Sequence, residues 1–96
     1  MNCLSFDVGG TTVKYGVIDK SYKILKKDKI PTPVNEEKFI DSLSNIIQEN
    51  LSNISEVSIA MPGYVDSSNN KYLYGPHLQF DIDFLKLSNF ADYKFH

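Results

Sequence analysis

Two apolar runs are interrupted by Gly9-Gly10, and that interruption limits the folds open to the chain more than any other feature. Before it, Asn2 to Val8 carries Cys3, Leu4, Phe6 and Val8 with little polar content, the pattern of a buried central strand. After it, Thr11 to Ile18 alternates Val13, Tyr15 and Val17 with Thr12, Lys14 and Gly16, the pattern of a second strand. A glycine pair breaks both runs. The gap is too short for a crossover, so the two strands are expected to pair antiparallel. Asp19-Lys20-Ser21 reads as the next turn, and Tyr22 to Ile30 as a third, more polar strand near a sheet edge.

Pro31-Thr32-Pro33 closes this meander, because proline has no N–H to give a ladder. A helix is predicted next. Asn35 suits its N-cap, and Glu36 and Glu37 suit the positive end of its dipole. Val34 and Phe39 hold the positions of a hydrophobic staple. Phe39, Leu43, Ile46, Ile47 and Leu51 share one face at helical spacing, and Ile40 widens it; the stripe is expected to pack on the sheet. Ser55 to Met61 is a fourth strand, with Val57, Ile59 and Met61 alternating. Coming after a helix, it can lie parallel to the first strand through a right-handed crossover. Tyr64 to Asp66 and Lys71 to Tyr74 are short strand-like pieces around Ser67-Ser68-Asn69-Asn70. Asp81 to Asn89 reads as a short helix, and Tyr93 to His96 as the start of another strand.

Composition removes several function classes. The 96 residues allow one domain at most. An apolar fraction of 42% and a charged fraction of 23% are those of a globular chain. A net charge of −2 argues against a nucleic-acid partner, and the only basic run, Lys23 to Lys29, is broken by Asp28 and suits a protected strand edge. Cys3 is the sole cysteine, so no internal disulfide can form; it is expected to be a small core residue. No segment has the apolar length of a membrane span, and no signal peptide is visible at the N-terminus. The expected setting is the cytoplasm, with no membrane partner.

The chemistry concentrates at the first turn. Glycines at 9 and 10 give the chain conformational freedom and remove side chains that would hold a phosphate away. Thr11 and Thr12 add hydroxyls, and a concavity of backbone N–H groups is an anion site. Asp7 would repel a bare phosphate. A magnesium ion between them resolves this, since magnesium favours few carboxylates, several waters and phosphate oxygens. Lys14 is placed to neutralise the site, and Gly16 fits close strand packing better than ligand contact. The plain alternative is a hairpin turn with two glycines and a solvated aspartate. The full string Asp7-Val8-Gly9-Gly10-Thr11-Thr12-Val13-Lys14-Tyr15-Gly16 is much more specific than its glycine pair, and it matches neither Gly-x-x-x-x-Gly-Lys-Ser/Thr nor Gly-x-Gly-x-x-Gly.

That string resembles the first phosphate motif of the actin-like ATPase superfamily and, within it, of the repressor–open-reading-frame–kinase (ROK) sugar kinases. Ala60-Met61-Pro62-Gly63-Tyr64-Val65-Asp66 is similar to that family's Pro-Gly-x-Val-Asp segment after the fourth strand. Tyr74-Gly75-Pro76-His77-Leu78 is a third, weaker match, with His77 where the family usually shows asparagine. The resemblance runs from Leu4 to Leu78. It implies an α/β fold of the ribonuclease H-like (actin-like ATPase) type, a mixed sheet of three antiparallel N-terminal strands, a crossover helix and a parallel fourth strand.

The resemblance also implies roles. Asp7 would assist magnesium, and Gly9, Gly10, Thr11, Thr12 and Lys14 would meet the ATP phosphates. Pro62 and Gly63 would border a sugar pocket, the alternative being a plain strand-ending turn. The parent activity would be transfer of the γ-phosphoryl group of ATP to a hexose, N-acetylmannosamine or glucoside hydroxyl, with an aspartate as general base. The family's base motif is expected beyond His96, as are its zinc-binding cysteine–histidine cluster and its second phosphate motif. Residues 1–96 are therefore expected to be a truncated N-terminal lobe, inactive alone. Two or three charge-assisted contacts at about 1.5–3 kcal/mol each, less the cost of association, leave about −4 kcal/mol, or millimolar nucleotide binding. Homo-oligomerisation through the face a second domain would cover, or through the edge of the unfinished last strand, is also expected.

Three other readings compete. ROK repressors share the fold but carry a DNA-binding module before it, and the first strand here begins at residue 2. A chaperone- or actin-like ATPase is disfavoured by the Pro-Gly-x-Val-Asp match. A stand-alone interaction domain is disfavoured by the unfinished last strand.

Overall fold

Strand β1 (Cys3–Val8) is the centre of the molecule because it pairs on both sides. It runs antiparallel to β2 (Thr12–Ile18), with Asp7 opposite Lys14 and Val8 opposite Val13. On its other side it runs parallel to β4 (Glu56–Ala60), with Phe6 opposite Ile59. Strand β3 (Ile24–Pro31) pairs antiparallel with β2 and forms one sheet edge. Strand β8 (Tyr93–Phe95) pairs parallel with β4, giving the order β3-β2-β1-β4-β8. The computed structural model describes residues 2–61, 65–66, 71–72, 80–83, 87 and 93–95.

Helix α1 (Glu36–Asn50) joins β3 to β4. Its N-cap is Asn35, whose Oδ1 accepts the Lys38 N–H at 2.9 Å, and Glu36 and Glu37 fill the first turn. Phe39, Ile40, Leu43, Ile46 and Ile47 are buried, in one core with Leu4, Phe6 and Val8 of β1, Val13 and Val17 of β2, and Val57 and Ile59 of β4. The even-numbered residues of β1 thus face this core. The odd ones, Cys3, Ser5 and Asp7, face the other side of the sheet, which α1 leaves open.

Three local expectations are corrected by this packing. Cys3 is half-buried on the open face, because strand parity places it opposite Leu4. Val34 is 73% exposed, so it does not staple onto Phe39, which turns into the core against Phe80 with ring centroids 6.2 Å apart. Leu51 is 41% exposed. The chain tightens into a 3-10 turn at Leu51–Asn53, which rotates Leu51 off the stripe. Asn50 is buried instead, its Nδ2 donating to the Ile46 carbonyl at 2.7 Å.

The short pieces between β4 and β8 form a second sheet. Strands β5 (Val65–Asp66), β6 (Lys71–Tyr72) and β7 (Ile82–Asp83) pair antiparallel in the order β5-β6-β7. The helix expected from Asp81 therefore does not begin there, because the Ile82–Asp83 backbone is committed to β6. Glu36 explains the register: its Oε2 accepts the Asp83 N–H at 2.8 Å, tying β7 to the start of α1. Ile82 and Leu87 are buried in the main core. The expected turn at 67–70 lies outside the described residues.

Candidate functional site

The β1–β2 turn stands at the end of the sheet, and three hydrogen bonds fix it. The Gly9 N–H donates to the Thr12 carbonyl at 2.9 Å. The Thr32 hydroxyl donates to the Gly9 carbonyl at 2.8 Å, and the Thr32 N–H donates to the Thr11 carbonyl at 3.0 Å. Among the described residues, the N–H groups of Gly10 and Thr11 meet no protein acceptor. Both residues are exposed, so these donors are available to water or to an anion.

The glycines act through space rather than through unusual dihedrals. Among the described residues no glycine has a positive φ, which corrects the expected reliance on conformational freedom. A Cβ on Gly9 would stand 3.0 Å from the Thr12 carbonyl oxygen, a tight contact inside the turn. The expectation for Gly16 is met more sharply: a Cβ there would lie 2.5 Å from the Lys26 carbonyl oxygen, beside the bulge where β3 shifts register against Val17 and Ile18.

Asp7 and Lys14 are cross-strand partners on the open face, one pair back from the turn. Both are exposed. Lys29 lies opposite Lys14 on β3, so one carboxylate and two ammonium groups share a row. This row forms part of a groove of about 540 Å³, lined also by Ser5, Gly16 and Lys27. The groove reaches Asp7 and Lys14 but not Gly9 to Thr12. Among the described residues no three His, Cys, Asp or Glu side chains converge as a metal cage. A single exposed carboxylate beside open N–H groups fits a magnesium ion that arrives with phosphates and waters, and does not fit a resident metal.

On the opposite face, Tyr15 packs against Phe6 with ring centroids 5.8 Å apart. Burial, then the carboxylates of Asp28 and Glu49, pushes its phenol above the ordinary value. Tyr15 is therefore a wall of the core and does not reach the turn.

Gly9, Gly10, Thr11 and Thr12 thus form the turn, and Asp7 and Lys14 face each other one pair behind it. Pro62, Gly63 and His77 lie outside the described residues. Thr32 was missed. Its signal was present: in Pro31-Thr32-Pro33 only the middle residue keeps an N–H, so only Thr32 can extend the β2–β3 ladder to Thr11.

The model of the ROK family matches residues 3–89. A glucokinase of Streptomyces coelicolor is 28% identical over 85 residues, covering 86% of this chain and 27% of its own. A ROK family glucokinase from Streptomyces griseus, solved in complex with glucose and AMPPNP, superposes with a TM-score of 0.80 at 23% identity over 96% of this chain and 32% of its own. A ROK family transcriptional regulator homologous to the E. coli MLC protein superposes with a TM-score of 0.74 at 17% identity, over 98% of this chain and 27% of its own. The chain spans about a third or less of each of these relatives.

Proposed function

The chain belongs to the ROK family, and on that premise we propose that residues 1–96 are the ATP-phosphate-binding N-terminal lobe of a sugar kinase. The carrying observation is the β1–β2 turn, with its two N–H donors open to an anion and Asp7 and Lys14 set one residue pair behind it. Gly10 and Thr11 would donate to phosphate oxygens, with the Thr11 and Thr12 hydroxyls beside them. Lys14 would offset phosphate charge. Asp7 would hold a magnesium ion through water, and the ion would neutralise charge building on the phosphates.

Asp7 is poorly suited to be the general base, because it belongs with the phosphates rather than with a sugar hydroxyl. The lobe's share of the reaction is to bind and orient the phosphates. Pro62 and Gly63 would border the sugar, as the family resemblance implies. A glucokinase relative and a glucokinase of the same fold that holds glucose and AMPPNP support a hexose as the acceptor. A cytoplasmic setting and self-association, through the face a second domain would cover or through the edge formed by the last strand, belong to the same proposal. Light scattering at high concentration should show a species larger than a monomer; a strict monomer would remove the self-association.

The test is an amide NMR titration of the 96-residue chain with magnesium and ATP to 10 mM or about that level. Gly9 to Thr12 and Asp7 should move in a saturable way with millimolar affinity. Unmoved loop amides at that concentration would defeat the reading. The likeness to a transcriptional regulator favours a second reading, a regulatory domain that keeps the fold without nucleotide binding. The same unmoved amides, with no thermal shift on adding a hexose, would favour it.

A further inference from the structure

We infer that Thr32, outside the phosphate string and twenty residues beyond Thr12 in sequence, is the positioning residue that aims the turn's peptide units at the phosphates. This rests on the phosphate-loop reading of the turn and adds a residue to it. In a planar trans peptide the C=O of one residue and the N–H of the next point in opposite directions. The Gly9 carbonyl and the Gly10 N–H belong to one such unit, and the Thr11 carbonyl and the Thr12 N–H to another. Thr32 holds both carbonyls, the first with its hydroxyl at 2.8 Å and the second with its N–H at 3.0 Å. Held on the β3 side, the Gly9 carbonyl turns the Gly10 N–H, one of the turn's two open donors, the opposite way, while the bond to the Thr11 carbonyl fixes the C-terminal side of the turn.

The first of these units needs an external hold. It lies between two glycines, where rotation of the peptide plane meets little steric resistance. A rotated plane would present the Gly9 carbonyl oxygen to an anionic ligand in place of the Gly10 donor. The Thr32 hydroxyl, half-buried between two prolines, opposes that rotation. Pro31 and Pro33 restrict the backbone on either side of Thr32, so its hydroxyl is presented from a stiff segment.

The experiment compares the 96-residue chain with Thr32→Val, which keeps the shape and backbone N–H but loses the hydroxyl, and Thr32→Ser, which keeps both donors. The readout is amide NMR with magnesium–ATP, and separately with magnesium–tripolyphosphate, which carries the phosphates alone. Thr32→Val should bind both about tenfold more weakly, with the Gly10 amide broadened in the ligand-free chain. Thr32→Ser should bind within about twofold of the original chain. The α1 amides and the melting temperature should stay close in all three, which separates positioning from general stability. If valine unfolds the chain, Thr32→Ala, which cannot crowd the prolines, takes its place. Equal binding by the original and hydroxyl-free chains would overturn the role of Thr32 and leave the loop reading intact. No loop response in the original chain would overturn both.

Discussion

The meander contains two turns built on opposite plans. The β2–β3 turn closes on itself. Asp19 Oδ1 accepts the Ser21 N–H at 2.8 Å and the Lys23 N–H at 2.9 Å, while the Asp19 carbonyl accepts the Tyr22 N–H at 3.0 Å. The N–H groups of Asp19, Ser21, Tyr22 and Lys23 are consumed locally, and the third strand starts at Ile24, not at Tyr22. The β1–β2 turn has no such side chain. Its carbonyls are held from outside by Thr32, and its Gly10 and Thr11 donors point to no acceptor among the described residues. The difference separates a turn whose donors are largely consumed by its own residues from one that leaves two amides open and is braced elsewhere, the arrangement on which the proposed anion site rests.

Substitutions can break or sharpen this contrast. The largest effect is expected from Gly16→Ala, in the strand both turns share. A methyl 2.5 Å from the Lys26 carbonyl must move backbone, at a cost of about 3 kcal/mol, read as a lower urea midpoint. Next is Asp19→Ala, which removes the one carboxylate oxygen that accepts two hydrogen bonds in the closed turn. It should cost about 1–2 kcal/mol and leave phosphate binding at the other turn unchanged; a change in that binding would show that the turns are coupled. Smaller, and of opposite sign, is Tyr22→Gly. Tyr22 holds a φ of 64° with its side chain 89% exposed, so glycine relieves backbone strain without losing packing. It should stabilise the closed turn by about 0.5–1 kcal/mol after the entropic cost of glycine.

The smallest effect is confined to alkaline pH. Tyr15 lies midway along β2, and its phenol titrates above the ordinary value of about 10. The folded state therefore holds the proton more tightly than the unfolded one. That contribution is complete below about pH 10 and is lost as pH rises through the folded value. Tyr15→Phe should remove this part of the alkaline loss, seen by comparing denaturation midpoints at about pH 9 and about pH 11. An identical alkaline decline in both proteins would mean that other groups account for it.

Most of the fold and the core of the site were legible because each rested on local patterns. A nearly unbroken apolar run marks β1, alternation marks β2 and β4, the Asn35 cap and the 39–47 stripe mark α1, and the glycine pair marks the turn. The misreadings share a cause. Val34, Leu51 and Cys3 were judged apolar by type, but a 3-10 turn and strand parity decided which way each points. Ile82–Asp83 fits a helix by its local apolar pattern, but pairing with β6 commits it to a strand, which Glu36 ties to the start of α1. Proline punctuation hid Thr32, because its partners are twenty-one and twenty-three residues away.

By itself, then, the sequence determined that two strands meet at Gly9-Gly10 and that Asp7 and Lys14 stand on the strands beside that turn. Periodicity and residue type carry that much, since they act over a few neighbouring residues. Only the tertiary structure decided which donors of the turn remain open and what braces them. Hydrogen-bond satisfaction is settled across strands, and the brace comes from the far end of β3, which reaches the turn only once the sheet has formed.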